Sequence, residues 1–461
     1  MRCIRNRNRP VPVAGPVARG SNSERLKAAA QRGIVIVMER VAVIGSGIAG
    51  LSAAWLLANR YQVTLYEAEP TLGGHTNTID VAVDGQTFPV DTGFLVFNDR
   101  TYPELCAMFD HLALPAASSN MSFSVRIDDE ALEWAGSSLA AVFAQKRNLI
   151  RPGFWGMLKD ILRFNREGAA MVRSGAVAGT LLEFLDRGRY GRRFREWYLL
   201  PMSAAIWSCP TSRMLEYPAH VFLRFCHNHG LLQVSDRPQW KTVLGGARQY
   251  VRRLAATLAD VRLASPVTAV RRGASAVGVT SSAGEEQFRH VVLATHSDQS
   301  LAILQDADPD ERAVLGAVRY QANEAWVHSD ATLLPRAREA WSAWNYMAGD
   351  SRLDARPVAV SYLINMLQPL PCTTPVIVTL NPTRRPDPGT VLRQISYAHP
   401  VFDTGAIAAQ QQLGGIQGRR NTWFCGAWTG HGFHEDGLRS GMAVANALGV
   451  KAPWRARQLA A

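Results

Sequence analysis

The sequence lacks the patterns that mark several classes of protein. No run approaches about 18 consecutive apolar residues, so no segment is predicted to cross a membrane as a helix. The six cysteines form no CxxC pair, which favours reduced thiols in a cytoplasmic protein and argues against a metal held by cysteine. His227 and His229 form the one close histidine pair, and no third ligand accompanies them. We therefore predict no metal site.

Acidic residues are too few to balance the basic ones, and the net charge is +12. Most of the excess lies at the start: residues 1–37 hold seven Arg and one Lys against Glu24, a net +7, which leaves +5 for the remainder. This segment is rich in Arg, Pro, Gly and Ser and has no apolar period, so we predict a disordered extension before Met38. A transit peptide is the alternative, whereas the apolar segment of a secretory signal is missing. The charge therefore does not indicate a nucleic-acid partner.

The most informative stretch is residues 40–50, RVAVIGSGIAG, in a chain of 461 residues that is long enough for two or three domains. A β-branched run leads into the pattern GxGxxG, and apolar residues at helical spacing follow. Gly45 permits a tight turn, Gly47 lets the backbone approach a pyrophosphate, and Gly50 lets the helix pack closely. A second predicted strand ends at Glu67, where a carboxylate accepts hydrogen bonds from a ribose. The stretch predicts a dinucleotide-binding βαβ unit.

Two further features follow the second strand. The paired glycines Gly73 and Gly74 again bring backbone amides near a ligand. Two short strands are then predicted to form a hairpin through Asp84 and Gly85. The chain next enters a loop at residues 91–94, which we expect to lie beside whatever the first turn binds.

The middle of the chain changes from short strands to helices, which are predicted from about residue 137 to residue 230. Within it, residues 143–166 are basic, aromatic and amphipathic. Such a stretch can lie on an anionic membrane surface. The alternative is an ordinary helix with a solvated outer face, and the sequence leaves both open.

The second half of the chain returns to a dinucleotide-type sheet. A buried strand is predicted at residues 291–294, and several strands in residues 315–400 are typical of an antiparallel sheet in a second domain. Residues 422–449 then predict a strand that reaches Gly426, a glycine-rich loop, and a helix that starts near Gly437. The first sheet is therefore predicted to be assembled from three separated segments, with the second domain inserted between them.

Four motifs follow one another along the chain: GSGIAGLSAAWLL with Glu67, then LGGH, then TVLGGARQYVRRLA, and then FCGAW followed by GFHEDGLRSGMAVANAL. In this order they resemble the superfamily of FAD-dependent amine oxidases, protoporphyrinogen oxidases and carotenoid desaturases. DTGFLVFN, PMSAAIWSCP and LLQVSDRPQW are similar to a narrower group of bacterial flavoproteins, and to the flavin-oxidase module of plant cyclopropane fatty-acid synthases. The resemblance implies FAD and an α/β fold. The fold would consist of a Rossmann-like FAD-binding domain of the amine-oxidase type, assembled from three segments of the chain, and an inserted α+β substrate or cap domain.

The resemblance also implies domain limits and cofactor contacts. The FAD-binding domain would comprise residues 38–110, 241–300 and 415–450. The substrate domain would comprise residues 111–240 and 301–414, and residues 451–461 would form a tail. Gly45, Gly47 and Gly50 would contact the pyrophosphate, and Glu67 would contact the adenosine ribose. Val267, which precedes a predicted turn at Ala269 and Val270, would contact the adenine. The full set of expected cofactor contacts is Gly45, Ser46, Gly47, Ile48, Ala49, Gly50, Glu67, Ala68, Gly73, Gly74, His75, Gly93, Phe94, Val267, Ala294, Gly426, Ala427, Asp436, Gly437 and Leu438.

The sequence departs from the superfamily at two places. Thr71 and His75 stand where arginines usually flank the glycine pair, and Trp428 replaces the usual acid after the C-terminal strand. The aromatic residue at the flavin face falls on Phe433 or His434, depending on one gap. We expect Trp428, Phe433 and His434 at the flavin face, with His434 moving a proton. The alternative for His434 is packing or a hydrogen bond within the loop.

The resemblance implies an FAD-dependent oxidase or desaturase of an apolar substrate, with an unsaturated or methylated fatty acyl chain of a phospholipid as the favoured candidate. The sequence shows only one dinucleotide fingerprint, which favours reoxidation by oxygen, a quinone or another carrier over bound NAD(P)H. There are two alternatives: an amine oxidase, and a non-catalytic FAD-binding partner of a lipid methyltransferase. We expect a cytoplasmic protein, with peripheral contact to the inner membrane face if residues 143–166 bind lipid.

Overall fold

The computed structural model describes residues 38–175, 179–207, 211–233, 237–349 and 358–458. The extension predicted at residues 1–37 lies outside the described residues. In the described part of the chain, no helix is both long and apolar enough to cross a membrane.

The described strands lie on either side of a helical region, seven of them before residue 136 and twelve from residue 241 onwards. They are β1 Arg40–Ile44, β2 Gln62–Tyr66, β3 Thr78–Val83, β4 Gln86–Asp91, β5 Ala116–Ser118, β6 Phe123–Ile127, β7 Leu132–Ala135, β8 Lys241–Val243, β9 Asp260–Arg262, β10 Val267–Arg272, β11 Val277–Ser281, β12 Gly284–Phe288, β13 His290–Leu293, β14 Arg319–His328, β15 Trp344–Ala348, β16 Ala359–Leu363, β17 Ile377–Leu380, β18 Val391–Val401 and β19 Thr422–Phe424.

The helices are concentrated between residues 139 and 228. They are α1 Ile48–Leu57, α2 Pro103–His111, α3 Leu139–Val142, α4 Pro152–Ser174, α5 Leu181–Arg187, α6 Arg192–Phe194, α7 Leu200–Trp207, α8 Thr211–Leu215, α9 Ala219–Asn228, α10 Arg248–Ala255, α11 Ser297–Ile303, α12 Pro309–Gly316, α13 Ile364–Leu367, α14 Thr404–Gln412, α15 His434–Ala447 and α16 Pro453–Gln458. A 3-10 turn at Lys146–Ile150 precedes α4, and a π-helical turn at Arg195–Leu199 joins α6 to α7.

A five-stranded parallel sheet has the order β19-β13-β1-β2-β9. Its strands come from three separated parts of the sequence, as predicted. The central strand β1 is buried on both faces, and Val41, Ala42 and Val43 are fully buried. This explains its uninterrupted apolar sequence, since a parallel strand covered on both sides has no solvent face.

A seven-stranded sheet has the order β18-β14-β17-β16-β15-β6-β7. Its longest ladder joins β14 to β18, from Arg319 opposite Val401 to His328 opposite Val391. The prediction of an antiparallel sheet in residues 315–400 is confirmed, because β14 to β18 pair antiparallel with one another. Strand β6, from outside this range, joins β15 in the parallel direction. These two strands come from distant parts of the chain, so no hairpin imposes an antiparallel direction on them.

Helix α15 crosses α1 closely because two glycines face it. A Cβ at Gly437 would lie 2.7 Å from Cγ2 of Ile48, and one at Gly441 would lie 2.3 Å from the carbonyl oxygen of Ala49. The C-terminal helix therefore packs directly against the first turn of α1. This contact joins the last segment of the sequence to the first.

Helix α15 begins at His434, three residues before the predicted start near Gly437. The reason is the side chain of Asp436, whose Oδ2 accepts hydrogen bonds from the backbone N–H of Phe433 (3.0 Å) and of His431 (3.1 Å). A carboxylate in the first turn of a helix satisfies amides that have no intrahelical partner. The cap moves the start of the helix towards the glycine-rich loop.

Two other local predictions need revision. Ala269 and Val270 lie inside strand β10, where a register shift after Val267 replaces the predicted turn. The region predicted as a C-terminal tail contains α16, whose Trp454 stacks on Trp55 with ring centroids 6.0 Å apart. A bulged strand and a docked helix each depend on distant partners, which local patterns do not reveal.

Candidate cofactor site

The turn between β1 and α1 lies at the carboxyl edge of the parallel sheet. Gly45 has a φ of +100°, and a Cβ there would lie 2.9 Å from the carbonyl oxygen of Ala294. A Cβ at Gly50 would lie 1.9 Å from the carbonyl oxygen of Gly45. Both positions therefore require glycine, because the turn, α1 and the end of β13 leave no room for a side chain.

Gly47 is different, because a Cβ at this position would meet no atom within 4 Å. It is the N-cap of α1, and no side chain caps the helix there. The first-turn amides of a helix have no intrahelical partner and carry a partial positive charge. Gly47, Ile48 and Ala49 thus present amides beside open space, as an anion such as a pyrophosphate requires.

Glu67 follows the end of β2 and its carboxylate is held next to the turn. Its Oε2 accepts hydrogen bonds from the backbone N–H of Ser46 (2.9 Å) and from the Ser46 hydroxyl. Its Oε1 accepts from the backbone N–H of Glu69 at 3.0 Å. The backbone N–H of Ser265 donates to the Glu67 carbonyl at 2.8 Å, which brings the start of β10 and Val267 near. Ala68 is exposed beside Glu67.

The second glycine pair faces the first turn. Gly73 and Gly74 have positive φ values of +120° and +55°. A Cβ at Gly74 would lie 3.4 Å from the Cα of Gly47. The backbone N–H of Phe94 donates to the carbonyl of His75 at 3.0 Å, and a Cβ at Gly93 would lie 2.1 Å from that oxygen. The three loops that contain predicted contacts therefore meet at one place.

The C-terminal loop closes this site from another side. The backbone N–H of Cys425 donates to the carbonyl of Leu293 at 3.0 Å, and that of Gly426 donates to Ser440 Oγ at 2.9 Å. Ala427 opens a 3-10 turn next to Gly437. Two of the predicted contacts here have structural roles of their own: the carboxylate of Asp436 caps α15, and the side chain of Leu438 is fully buried in the core.

The structure separates the three residues predicted at the flavin face. Trp428 is buried in the core beside Phe424. Phe433 stacks on Phe225 of α9, with ring centroids 5.2 Å apart. His434 points the other way and stacks on Phe94 with centroids 3.8 Å apart. The three rings therefore do not form one cluster, although they belong to the same loop.

His434 lies within a hydrogen-bonded group that the sequence did not indicate. Its Nε2 is 2.8 Å from Thr76 Oγ1 and 3.2 Å from the hydroxyl oxygen of Tyr250. It keeps a little accessible surface, but protein surrounds its ring, and this burial lowers the pKa of His434 to about 3. His434 is therefore neutral near pH 7.

A second group of histidines lies between the two sheets. His75 follows the second glycine pair and His296 follows β13, so both stand at the carboxyl edge of the parallel sheet. Strand β18 of the other sheet contributes Tyr397 and His399. Ring centroids lie 5.1 Å apart for His75 and Tyr397, 5.2 Å for His75 and His399, and 6.0 Å for His75 and His296. We call these four side chains the histidine group.

Burial keeps the histidine group uncharged. Desolvation, and then the neighbouring histidines, lower the pKa of His75 to about 3. Desolvation also lowers the pKa of His399 to about 4 and lowers that of His296. Asn323 donates from its amide nitrogen to Nδ1 of His399 at 2.8 Å, which favours a proton on Nε2. The sequence indicated His75 as a cofactor contact, but it did not indicate His296, Tyr397 or His399, because these residues come from distant segments.

His229, one member of the close pair in the sequence, packs against α9. His229 donates from Nδ1 to the carbonyl of Phe225 at 3.0 Å and stacks on its ring with centroids 3.9 Å apart. Among the described residues, no group of three or more His, Cys, Asp or Glu side chains could hold a metal ion.

The residues present fit an FAD. The uncapped first-turn amides at Gly47 suit its pyrophosphate, and the Glu67 carboxylate stands where it would accept hydrogen bonds from the hydroxyls of the adenosine ribose. Nε2 of His75 is buried next to Gly74 and has no hydrogen-bond partner in the described residues, so a polar group of a ligand would satisfy it. We propose that the remaining predicted contacts serve the same cofactor.

Comparisons with known proteins identify the family of the chain. Residues 48–320 match the family model described as flavin containing amine oxidoreductase. The carotenoid phi-ring synthase of Streptomyces griseus is 28% identical over 281 residues, which are 56% of this chain and 52% of that protein. The chain therefore spans about half the length of this relative, and less of a second phi-ring synthase, from Chlorobaculum tepidum, of which it covers 23%.

Solved structures share the fold at low sequence identity. The fatty acid isomerase from P. acnes that produces CLA superposes with a TM-score of 0.64 at 16% identity, over 89% of this chain and 98% of that chain. Cyclohexylamine oxidase from Brevibacterium oxydans gives a TM-score of 0.64 at 15% identity, over 89% and 99% of the two chains. With the family match over more than half of its length, the chain belongs to the flavin containing amine oxidoreductases and is an FAD-dependent oxidoreductase.

Proposed function

We propose that this oxidoreductase acts on an apolar substrate, and that the substrate is an unsaturated or methylated fatty acyl chain of a phospholipid. The observation that carries the proposal is the burial of the histidine side chains at the site, which disfavours their charged forms. Burial lowers the pKa of His75, His399 and His434 well below neutrality. Beside these side chains a charged group of the substrate is disfavoured, because removing an ion from water without a counterion is costly.

The buried carboxylates near the site already have partners. Asp91 accepts hydrogen bonds from the backbone N–H of Ala247 at 2.9 Å and from Gln368 at 2.8 Å. Asp436 accepts from the loop before α15. Burial raises the pKa of Asp91 to about 6 and also raises that of Asp436. Neither carboxylate is an obvious counterion for an ammonium group, which favours a neutral substrate over an amine.

The names of two similar proteins support a lipophilic substrate. One is a carotenoid phi-ring synthase, and another is a fatty acid isomerase. Carotenoids and fatty acids both present long unsaturated chains. The fold alone leaves the choice open, since an amine oxidase superposes equally well.

FAD supplies a two-electron acceptor, and the protein must hold it and present a C–H bond to it in dry surroundings. The amides at Gly47 and the carboxylate of Glu67 would bind its phosphate and ribose. Phe94 and the ring of His434 exclude water from the loop side. Thr76 and Tyr250, which lie within hydrogen-bond distance of His434 Nε2, would fix the orientation of the neutral imidazole beside Phe94.

Deletion of the gene tests the proposal in the cell. We expect the membrane fatty-acid profile to change under aerobic growth and to be restored by the wild-type gene. A variant that folds but does not bind FAD should fail to restore it. An unchanged profile would contradict a lipid substrate and would favour an amine.

A non-catalytic role beside a lipid methyltransferase makes a different prediction. In that case a lipid methyltransferase would co-purify with the chain, and the FAD-free variant would restore the profile whenever it still binds that partner. The catalytic proposal requires FAD for any restoration. The same set of strains therefore separates the two roles.

A further inference from the structure

One surface of the helical region is apolar where a helix normally faces water. In the described part of the chain, five of the eight large apolar side chains that are exposed lie between residues 139 and 162. They are Leu139 (80% exposed), Leu149 (49%), Ile150 (84%), Trp155 (50%) and Leu162 (60%). We call these five side chains the apolar patch.

The members of the apolar patch are close along the chain, and some are related by contacts or by helix geometry. Leu139 is one helical turn from Phe143, whose ring centroid lies 5.5 Å from that of Trp155. The indole N–H of Trp155 donates to the carbonyl of Leu149 at 2.9 Å. Leu162 lies two helical turns beyond Trp155, about 10 Å along the same side of α4. The five side chains therefore belong to one short stretch made of α3, the 3-10 turn and the first half of α4, and Trp155 and Leu162 lie on the same side of α4.

Helix α4 does not need this surface to pack on the protein. Its opposite side buries Phe154, Met157 and Phe164 almost completely. A helix with one apolar face in the core normally turns a polar face outwards. Trp155 and Leu162 break this rule on the outer face, and contiguous exposed apolar surface of this kind marks an interaction site.

Basic side chains surround the apolar patch. Lys146, Arg147, Lys159 and Arg166 are exposed among or beside its members. Lys146 and Lys159 make no ion pair with any described residue, and Arg166, 78% exposed, has only Glu167 at 3.9 Å. Apolar and aromatic residues with unpaired cations at their margin complement the boundary between anionic headgroups and acyl chains.

From this surface we infer that the apolar patch docks on a bilayer that contains anionic lipids. Ile150, Trp155 and Leu162 enter the headgroup boundary, and Lys146 and Lys159 contact lipid phosphates. The docking is a property of the outer face of α4 and its preceding turn. It does not depend on which substrate reaches the cofactor.

Vesicle flotation of the full-length, FAD-loaded protein tests the inference. Vesicles of phosphatidylcholine with phosphatidylglycerol are compared with vesicles of phosphatidylcholine alone. The test variant is the pair Ile150→Ser and Leu162→Ser, and the matched control is the pair Leu244→Ser and Leu263→Ser, at exposed leucines elsewhere. The basic residues 1–37 are present in every variant, so their attraction to the vesicles is the same.

We expect the test pair to weaken binding to anionic vesicles by roughly tenfold and the control pair to leave it unchanged. The pair Lys146→Gln and Lys159→Gln should weaken binding to anionic vesicles only, and retained flavin absorbance shows that each variant is folded. Equal binding by the test pair and the wild type, or no binding by either, would overturn the inference. A patch that binds a protein partner and no vesicles would also overturn it. Flotation measures no turnover, so its failure is distinct from a wrong substrate.

Discussion

Replacing Gly47 by alanine should separate cofactor binding from folding. A Cβ at this position meets no protein atom within 4 Å, and the φ of −60° is acceptable for alanine. Alanine is a poorer N-cap than glycine by several tenths of a kcal/mol, and it stiffens the unfolded chain by a similar amount. We therefore expect the free energy of unfolding of the apoprotein to change by less than about 0.5 kcal/mol.

The same methyl group should weaken FAD binding. If the pyrophosphate lies against Gly47, the added carbon displaces it from the first-turn amides. Losing one charge-assisted hydrogen bond costs about 1.5–3 kcal/mol, which corresponds to a Kd higher by roughly tenfold to a hundredfold. Quenching of flavin fluorescence on titration of the apoprotein measures the Kd, and urea unfolding measures stability.

Gly50→Ala is the matched comparison, because its Cβ would lie 1.9 Å from the carbonyl oxygen of Gly45. This variant should lose both stability and FAD binding. Wild-type FAD affinity in Gly47→Ala would refute the placement of the pyrophosphate at the N-terminus of α1. A large loss of apoprotein stability in Gly47→Ala would refute the steric reasoning.

Two further predictions concern buried charge. Glu311→Ala should lower the free energy of unfolding by about 3–5 kcal/mol in urea, because it leaves the fully buried guanidinium of Arg272 without one of its partners; a loss below about 1 kcal/mol would contradict this. Because the pKa of His399 is lowered in the folded protein, the unfolded chain binds a proton at this residue more readily than the folded chain does. The stability that neutral His399 contributes is therefore present near pH 7 and is lost as the pH falls from about 6.5 towards 4. His399→Asn should therefore reduce the pH dependence of the unfolding free energy by up to about 1.4 kcal/mol per pH unit across this range, and an unchanged slope would count against a neutral His399.

Local patterns were sufficient to predict the first βαβ unit. Gly45 and Gly50 are required by contacts within about ten residues or with the adjacent strand β13, and the apolar run of β1 reports burial on both faces. The Asp84-Gly85 hairpin was predicted for a similar reason, since both residues adopt the positive φ values that such a turn requires. These features depend on backbone conformation, which is encoded locally.

The histidine group could not be predicted in this way. His75, His296 and His399 have no common spacing, and only the meeting of the two sheets brings them together. The role of Glu435 was equally hidden. Its carboxylate accepts from the backbone N–H of Glu104 and of Leu105, and so caps α2 across the site. Such contacts join residues that are hundreds of positions apart.

The directions of the side chains in the C-terminal loop also depended on the whole fold. Phe433 and His434 are adjacent in sequence, yet Phe433 packs on α9 while His434 packs on Phe94. The outer face of α4 shows the same limit, because residues 143–166 suggested either a membrane contact or a solvated helix. Only the exposed fractions of Trp155 and Leu162 distinguish an apolar outer face from a polar one.

The most direct test is the reduction of the bound flavin by substrate without oxygen. The FAD-loaded protein is mixed anaerobically with phospholipid that carries unsaturated or methyl-branched acyl chains, with saturated phospholipid as the control and with putrescine and cyclohexylamine as competing candidates. We predict that the visible absorption band of the flavin bleaches with the unsaturated or branched lipid and with neither control nor amine. Bleaching by an amine alone, or a flavin that stays oxidised with every lipid, would contradict the proposed function.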